Sequence, residues 1–388
     1  MRRVLCFVFF LSSLHLAAQQ KTWSCGLLIR QDTIRFELVQ EKGGEFYIRN
    51  GEEKVLMEKL SESGDSVKYA LSVFDAFLIF PKRTGATFGG WYRKGDAKVP
   101  SKGLAFLAGI PARKVLNTGS LKVEGSWPLE FLEGDVVKDK GILVLRQRGN
   151  QISGSILTET GDYRFLNGEI SGRSGYLHTF DGGHAWFFRL NFSESGQNLE
   201  GSFVFSQTGA QRFRGVKQDG ARLASGFSEG KEGLFRFSGL DAGGNRIGME
   251  AFRGKGLVLQ VMGTWCPNCL DETKFLVEEF ASRPANVEFA GLAFERGNDA
   301  NYAQQRIATV KRKLLVPYPV YWGGNANKDS ASAALPDVGG IKAFPTTVFV
   351  KSDGRILKVH SGFSGPATGD AYEAWRKEFR ELLKQLNP

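Results

Sequence analysis

The chain has 388 residues, 42% hydrophobic and 24% charged, with only 12 prolines, a composition that excludes a disordered or fibrous protein. At about 150 residues per domain this length predicts two or three domains, each with enough chain for a core. The net charge of +10 is spread among acids, and the densest basic run is only Lys311, Arg312 and Lys313, so a solvated surface is predicted rather than a nucleic-acid stripe.

Met1-Arg2-Arg3, an apolar stretch from Val4 to Ala18 and the small residues Ala17-Ala18 have the order of a secretory signal. The stretch is short of the roughly 20 residues that span a bilayer, so a soluble product is predicted, periplasmic or otherwise exported, cleaved near Ala18. An uncleaved anchor is the alternative; a lipoprotein is disfavoured because Gln19 stands where the acceptor cysteine belongs and Cys25 comes too late. Loss of residues 1–18 removes Arg2, Arg3 and Cys6, lowers the charge from +10 to +8 and leaves Cys25, Cys266 and Cys269 in an oxidising compartment. Three cysteines make no disulfide scaffold, and Cys25, within a β-type segment, is expected to be a small buried residue, against the alternative of an exposed thiol open to mixed disulfides.

From about residue 21 to 224 short β-type runs such as Thr33–Val39, Gly141–Arg146 and Ala185–Leu190 alternate with turn signals, among them Asn50-Gly51, Asn167-Gly168 and Asp181-Gly182-Gly183. No amphipathic helix interrupts them, which predicts antiparallel barrels or sandwiches. Trp23 opens one unit closing near residues 89–96 and Trp127 a second closing near 201–205, so two β units are expected, at 19–115 and 116–228, against the alternative of one large one. His178, Asp181 and His184 invite a metal reading, but a hairpin explains Asp181-Gly182-Gly183 without one, and no metal or cofactor is predicted.

Gly and polar residues over 225–248 mark a boundary, and an α/β unit is expected over 229–388. Leu257–Met262 is continuously apolar, as a strand buried on both faces requires. A helix from Pro267 to Ala281, a strand at Val287–Phe294, a helix over Asp299–Leu314, a strand at Tyr318–Trp322, a hairpin of Thr346–Val350 with Ile356–His360, and a last helix over Asp370–Leu386 complete a mixed sheet covered by helices.

Where the first of these strands meets its helix stands Thr264-Trp265-Cys266-Pro267-Asn268-Cys269. The partial positive charge of a helix N-terminus favours a negative sulfur at Cys266, and one turn brings Cys269 within reach of a mixed disulfide. Cys266 is therefore predicted to be the exposed attacking sulfur and Cys269 the buried resolving one, with Trp265 and Pro267 shielding and stiffening the turn. Half of a zinc knuckle would need two more ligands at short spacing, and Cys25, His178, His184 and His360 are scattered.

Lys255–Phe280 together with Phe344-Pro345-Thr346-Thr347 resembles the thioredoxin-like thiol-disulfide oxidoreductases, most closely the exported TlpA/ResA group of the AhpC/TSA and redoxin superfamily, over about residues 235–388. The resemblance implies an α/β thioredoxin-like domain after an all-β amino-terminal region, and an amino-terminal hairpin over 237–247. It also implies a cis Pro345 facing the cysteines, with the backbone at Phe344 pairing with substrate. Glu272, on the helical face of Cys269, matches the glutamate of ResA-like reductases and is predicted to move a proton to or from Cys269 rather than to sit in solvent. Gln260 stands where thioredoxin has a buried aspartate, so Glu272 is expected to be the only nearby acid.

Pro267-Asn268 brings no positive charge to the first sulfur, which favours a reductant over a primary oxidant. The expected partners are protein disulfides or dithiols, apocytochrome c among them, and a membrane thiol transporter as electron source; no nucleic acid is expected. The alternatives are a thiol peroxidase, disfavoured because Gly263 replaces the threonine three residues before the cysteine, and a partner-binding β module with an accessory redox domain.

Overall fold

The computed structural model describes residues 20–71, 73–94, 103–111, 121–224 and 226–386; the signal sequence expected over 1–18, with Cys6, lies outside them. Among the described residues no helix is long and apolar enough to cross a membrane.

The amino-terminal region is two closed antiparallel barrels. In the first, strands Lys21–Ile29, Asp32–Gln40, Phe46–Asn50, Glu53–Ser63, Ser66–Leu71, Ala76–Pro81, Phe88–Lys94 and Leu104–Ala108 each pair with the next, and the last closes on the first at Cys25 opposite Ala108. Alternation places Trp23, Cys25, Leu27 and Ile29 inside while Leu28 faces out. An eight-stranded barrel is just wide enough for side chains to fill, and rings fill this one: Phe46, Phe80 and Phe106 stack edge to face through the interior.

The second barrel runs through Gly125–Glu133, Val136–Arg148, Gln151–Thr158, Leu166–Ser171, Ser174–Phe180, Ala185–Phe192, Asn198–Val204 and Ala210–Val216, closing with Phe131 opposite Phe213 around Trp127, Phe188 and Phe203. The two-residue strand Gly161–Asp162 is appended to Gln151–Thr158. Both barrels close later than the turn pattern indicates, at Leu104–Ala108 rather than near 96 and at Ala210–Val216 rather than near 205, because closure depends on pairing with a strand far back in the chain.

In the carboxy-terminal α/β unit the strand order is Phe227–Ser228, Ile356–Ser361, Thr346–Val350, Gly256–Met262, Val287–Glu295, Val320–Asn325, Gly239–Leu240 and Arg246–Ile247. Residues 227–228, expected in the second β unit, thus pair with this sheet. Gly256–Met262 is buried throughout. It sends Leu257, Leu259 and Val261 to one face and Val258 to the other, against helices α1 (Pro267–Phe280) and α4 (Asp370–Gln385). Helix α2 (Ala300–Lys313) lays Ile307 and Val310 against the first barrel's apolar cluster, and a short α3 (Lys328–Ala334) lies between Val320–Asn325 and Thr346–Val350, where the sequence predicts no element.

Asp299 caps α2, accepting from the amides of Asn301 at 2.9 Å and Tyr302 at 3.1 Å. Asp299→Ala is expected to cost about 1 kcal/mol in urea unfolding, the usual worth of an N-cap; an unchanged midpoint would show that the cap is not used.

Candidate active site

The apolar strand Gly256–Met262 ends at Gly263, and the chain turns into α1 with Cys266 as N-cap residue and Pro267 in the first turn, where its missing amide costs nothing. The turn is held from outside: Glu295, buried at the end of the neighbouring parallel strand, accepts from the Thr264 amide at 2.8 Å and hydroxyl at 2.7 Å. Gly263 has no room for a side chain, since a Cβ would come within 2.4 Å of Trp265 Nε1 and 3.0 Å of the Phe294 carbonyl. A peroxidase's threonine does not fit there.

Both cysteines are free thiols. Cys266 Sγ accepts from the Cys269 amide at 3.3 Å, and its thiol donates to the Phe344 carbonyl at 3.5 Å. Burial and the adjacent Cys266 sulfur hold the Cys269 thiol well above its ordinary value. The peptide bond between Phe344 and the buried Pro345 is cis, and the Pro345 carbonyl accepts from Gly362. Trp265 donates through Nε1 to the Phe294 carbonyl at 3.0 Å and meets the Phe344 ring edge to face, with Arg296 over its indole. Cys266, Cys269, Trp265, Phe344 and Pro345 thus converge, and Pro267 faces away toward the second barrel.

Glu272 is completely buried rather than solvated. Gln260 Nε2 donates to its Oε2 at 2.9 Å and to the Cys269 carbonyl at 3.0 Å, and Thr347 donates to its Oε1 at 2.8 Å. Burial pushes this carboxyl up to about 7 despite both donors. It is not the only acid near the motif: Asp162, buried and pushed up to about 6, lies under Asn268, and Asp271 and Glu295 flank the helix start.

The exposure expected for Cys266 is not found; it is 7% exposed. It shares an apolar cluster with Phe74, Phe180 and Ala185 of the barrels, and its neighbours in the motif dock on the second barrel. Asn268 donates through Nδ2 to the Asp162 carbonyl at 3.0 Å, and a Cβ on Gly183 would lie 2.7 Å from Pro267 Cγ. Beside these contacts Arg164, at a positive φ of 57°, donates to Glu53 of the first barrel, to Asp181 of its own barrel and to Asp271 of α1, the last at 2.7 Å. Burial acts to raise Asp181, but Arg164 and His184 overcome it and hold the carboxylate far below its ordinary range. Asp181 also accepts from the Gly183 and His184 amides, so it caps a turn, while His178 stacks with Tyr176 elsewhere in the barrel. Cys25 is buried in the first barrel, its thiol pushed up to about 12 by burial.

No family model matches the chain. Over 145 residues it is 26% identical to the thiol-disulfide oxidoreductase ResA of Halalkalibacterium halodurans, a match spanning 37% of this chain and 71% of that protein. Against ResA of Bacillus subtilis it is 24% identical over 145 residues, 37% of this chain and 70% of that one. Among solved structures, a thioredoxin family thiol:disulfide interchange protein from Chlorobium tepidum TLS covers 43% of this chain and 99% of its own at 18% identity and a TM-score of 0.30. A secreted Mycobacterium tuberculosis disulfide oxidoreductase covers 36% and 95% at 20% identity and a TM-score of 0.28. About two-fifths of the chain is similar to ResA.

Proposed function

We propose, from the premise that a ResA-like thioredoxin domain occupies the carboxy-terminal part of the chain, that the protein is an exported thiol-disulfide oxidoreductase acting as a reductant of protein disulfides. The carrying observation is the free Cys266–Cys269 pair at the start of α1, with Cys266 Sγ bonded to the Cys269 amide and the Phe344 carbonyl.

In this reading the Cys266 sulfur attacks one sulfur of a substrate disulfide; the S–S bond breaks, a mixed disulfide forms, and the other substrate sulfur leaves and takes up a proton. Cys269 then gives its proton to the Glu272 carboxylate and attacks Cys266, forming the Cys266–Cys269 disulfide and releasing the second substrate thiol. Two electrons pass to the substrate. A membrane thiol transporter restores the dithiol, and apocytochrome c is among the substrates. Trp265, Phe344 and Pro345 form the surface on which the substrate backbone lies, while Pro267, expected to belong to it, is turned toward the second barrel. The nearly neutral Glu272 carboxyl behind Cys269 supports the proton step, since a base titrating near the working pH both accepts and returns a proton readily.

Direction is tested by the reduction potential of the couple. A value near that of thioredoxin, about −270 mV, is expected; one near the strong periplasmic oxidants, about −120 mV, would reverse the assignment.

A further inference from the structure

A substrate disulfide has to approach the face of the thioredoxin-like domain that presents Cys266, and on that face this chain has placed its own second barrel. Two glycines make the approach close: a Cβ on Gly161 would lie 2.7 Å from Asn268 Nδ2, and one on Gly183 would lie 2.7 Å from Pro267 Cγ. Asp162 fastens the same loop on the far side by accepting from the Gly365 amide. Arg306 of α2 donates to the Val73 carbonyl of the first barrel at 2.8 Å. Met262, Cys266, Cys269 and Leu270 share one continuous apolar cluster with Phe74, Phe180 and Ala185 of the barrels.

Arg164 is the centre of this junction. Its side chain is 2% exposed, and its donors reach one carboxylate from each of the three units: Glu53, Asp181 and Asp271. Three carboxylates share one buried guanidinium, helped by His184 on Asp181 and by Lys274 on Asp271 at the rim, and among the described residues Glu53 Oε2 has no hydrogen-bond partner. Such a cluster fixes geometry strongly but adds little net stability, because desolvating the charges offsets their attraction. A junction so composed is specific in its closed arrangement yet openable, as interdomain contacts of mixed polarity generally are.

We propose that the second barrel is an intramolecular gate over Cys266 and that Arg164 holds it shut. The closed chain then exchanges with small disulfides while the disulfides of folded proteins wait for the gate to open. This deepens the redox reading above and rests on it. Arg164 is a positioning residue in this scheme: it touches neither substrate nor sulfur, and it sets which substrates reach Cys266.

Two variants open the junction by independent means. Arg164→Met removes the hub, and Gly183→Val drives a side chain into Pro267 while leaving every charge in place. Each full-length chain is assayed for reduction of bis(2-hydroxyethyl) disulfide and of insulin, and hydrogen exchange is followed at residues 160–164 and 181–184. Both variants are expected to show faster exchange in these loops, an unchanged rate with the small disulfide and an insulin rate about tenfold higher, the factor by which a competent state populated about one-tenth of the time suppresses a rate. An unchanged insulin-to-small-disulfide ratio in a variant with released loops would overturn the gate, and loops that stay protected in Arg164→Met would overturn the role of Arg164. If Arg164→Met fails to fold, Gly183→Val decides the gate by the same ratio. Failure of the underlying redox reading is seen separately, as absence of small-disulfide turnover by the unmodified chain.

Discussion

Replacement of Cys266 by serine is expected to abolish reduction of bis(2-hydroxyethyl) disulfide by the full-length chain supplied with dithiothreitol, a loss of about three orders of magnitude or more. A hydroxyl at this position attacks sulfur poorly, whereas the sulfur it replaces is held at the helix start by the Cys269 amide that donates to it. Cys269→Ser should fail differently. Cys266 still attacks, but the sulfur that displaces the mixed disulfide is gone, so the chain accumulates an adduct carrying one half of the substrate, visible by mass spectrometry and reversed by excess thiol. Near-normal turnover in Cys266→Ser, or no adduct in Cys269→Ser, would remove these residues from the roles given to them.

The second large effect concerns pH. In the unfolded chain Glu272 titrates near its ordinary value of 4.5, and in the folded chain burial raises it to about 7. The folded state therefore binds this proton more tightly than the unfolded state. The resulting stabilisation is complete below about pH 4.5, declines as pH rises through the interval, and is lost above about 7, for a total of about 3 kcal/mol. Glu272→Gln keeps the shape and removes the titration, so its stability should fall less between about pH 5 and about pH 8 than that of the unmodified chain. Asp162 and Glu53 titrate in overlapping ranges, and the difference between the two chains isolates Glu272 from them. The amide cannot accept from both Gln260 and Thr347, which costs a constant amount at every pH and leaves the comparison of slopes intact. Equal slopes in urea unfolding would show that Glu272 does not titrate in this interval. In turnover, the same variant should lose the step in the pH profile near neutrality that belongs to proton transfer from Cys269.

The elements that carry this chemistry were readable because their signals are local. Leu257–Met262 is apolar without alternation, Pro267 follows a cysteine at a helix start, and Cys266 and Cys269 stand one turn apart; the strand, helix and dithiol follow from a window of about 25 residues. The alternation and turn pairs of the β region predicted two units just as locally. What stayed hidden is made by closure and docking. Nothing in Leu104–Ala108 announces that it pairs with Lys21–Ile29, and the hub at Arg164 gathers Glu53, Asp181 and Asp271 from three units with no spacing between them to recognise. The burial of Cys266 belongs to the same class, since it arises from surfaces that meet only in the folded chain. Helix α3 was missed for another reason: Lys328–Ala334 is short and rich in serine and alanine, so its cap at Asn327 carries more of the signal than its composition.

The two barrels also set an order of events. Each closes only when its final strand exists, Leu104–Ala108 for one and Ala210–Val216 for the other, and both precede Gly256–Met262 and the cysteine pair in the chain. Long-range closures of this kind are slow, yet synthesis and domain folding proceed from the amino terminus. Every strand of the surface that receives Pro267 and Asn268 is thus made before those residues are, and the dithiol meets its cover as it folds, leaving little time in which a bulky protein thiol or disulfide finds it bare.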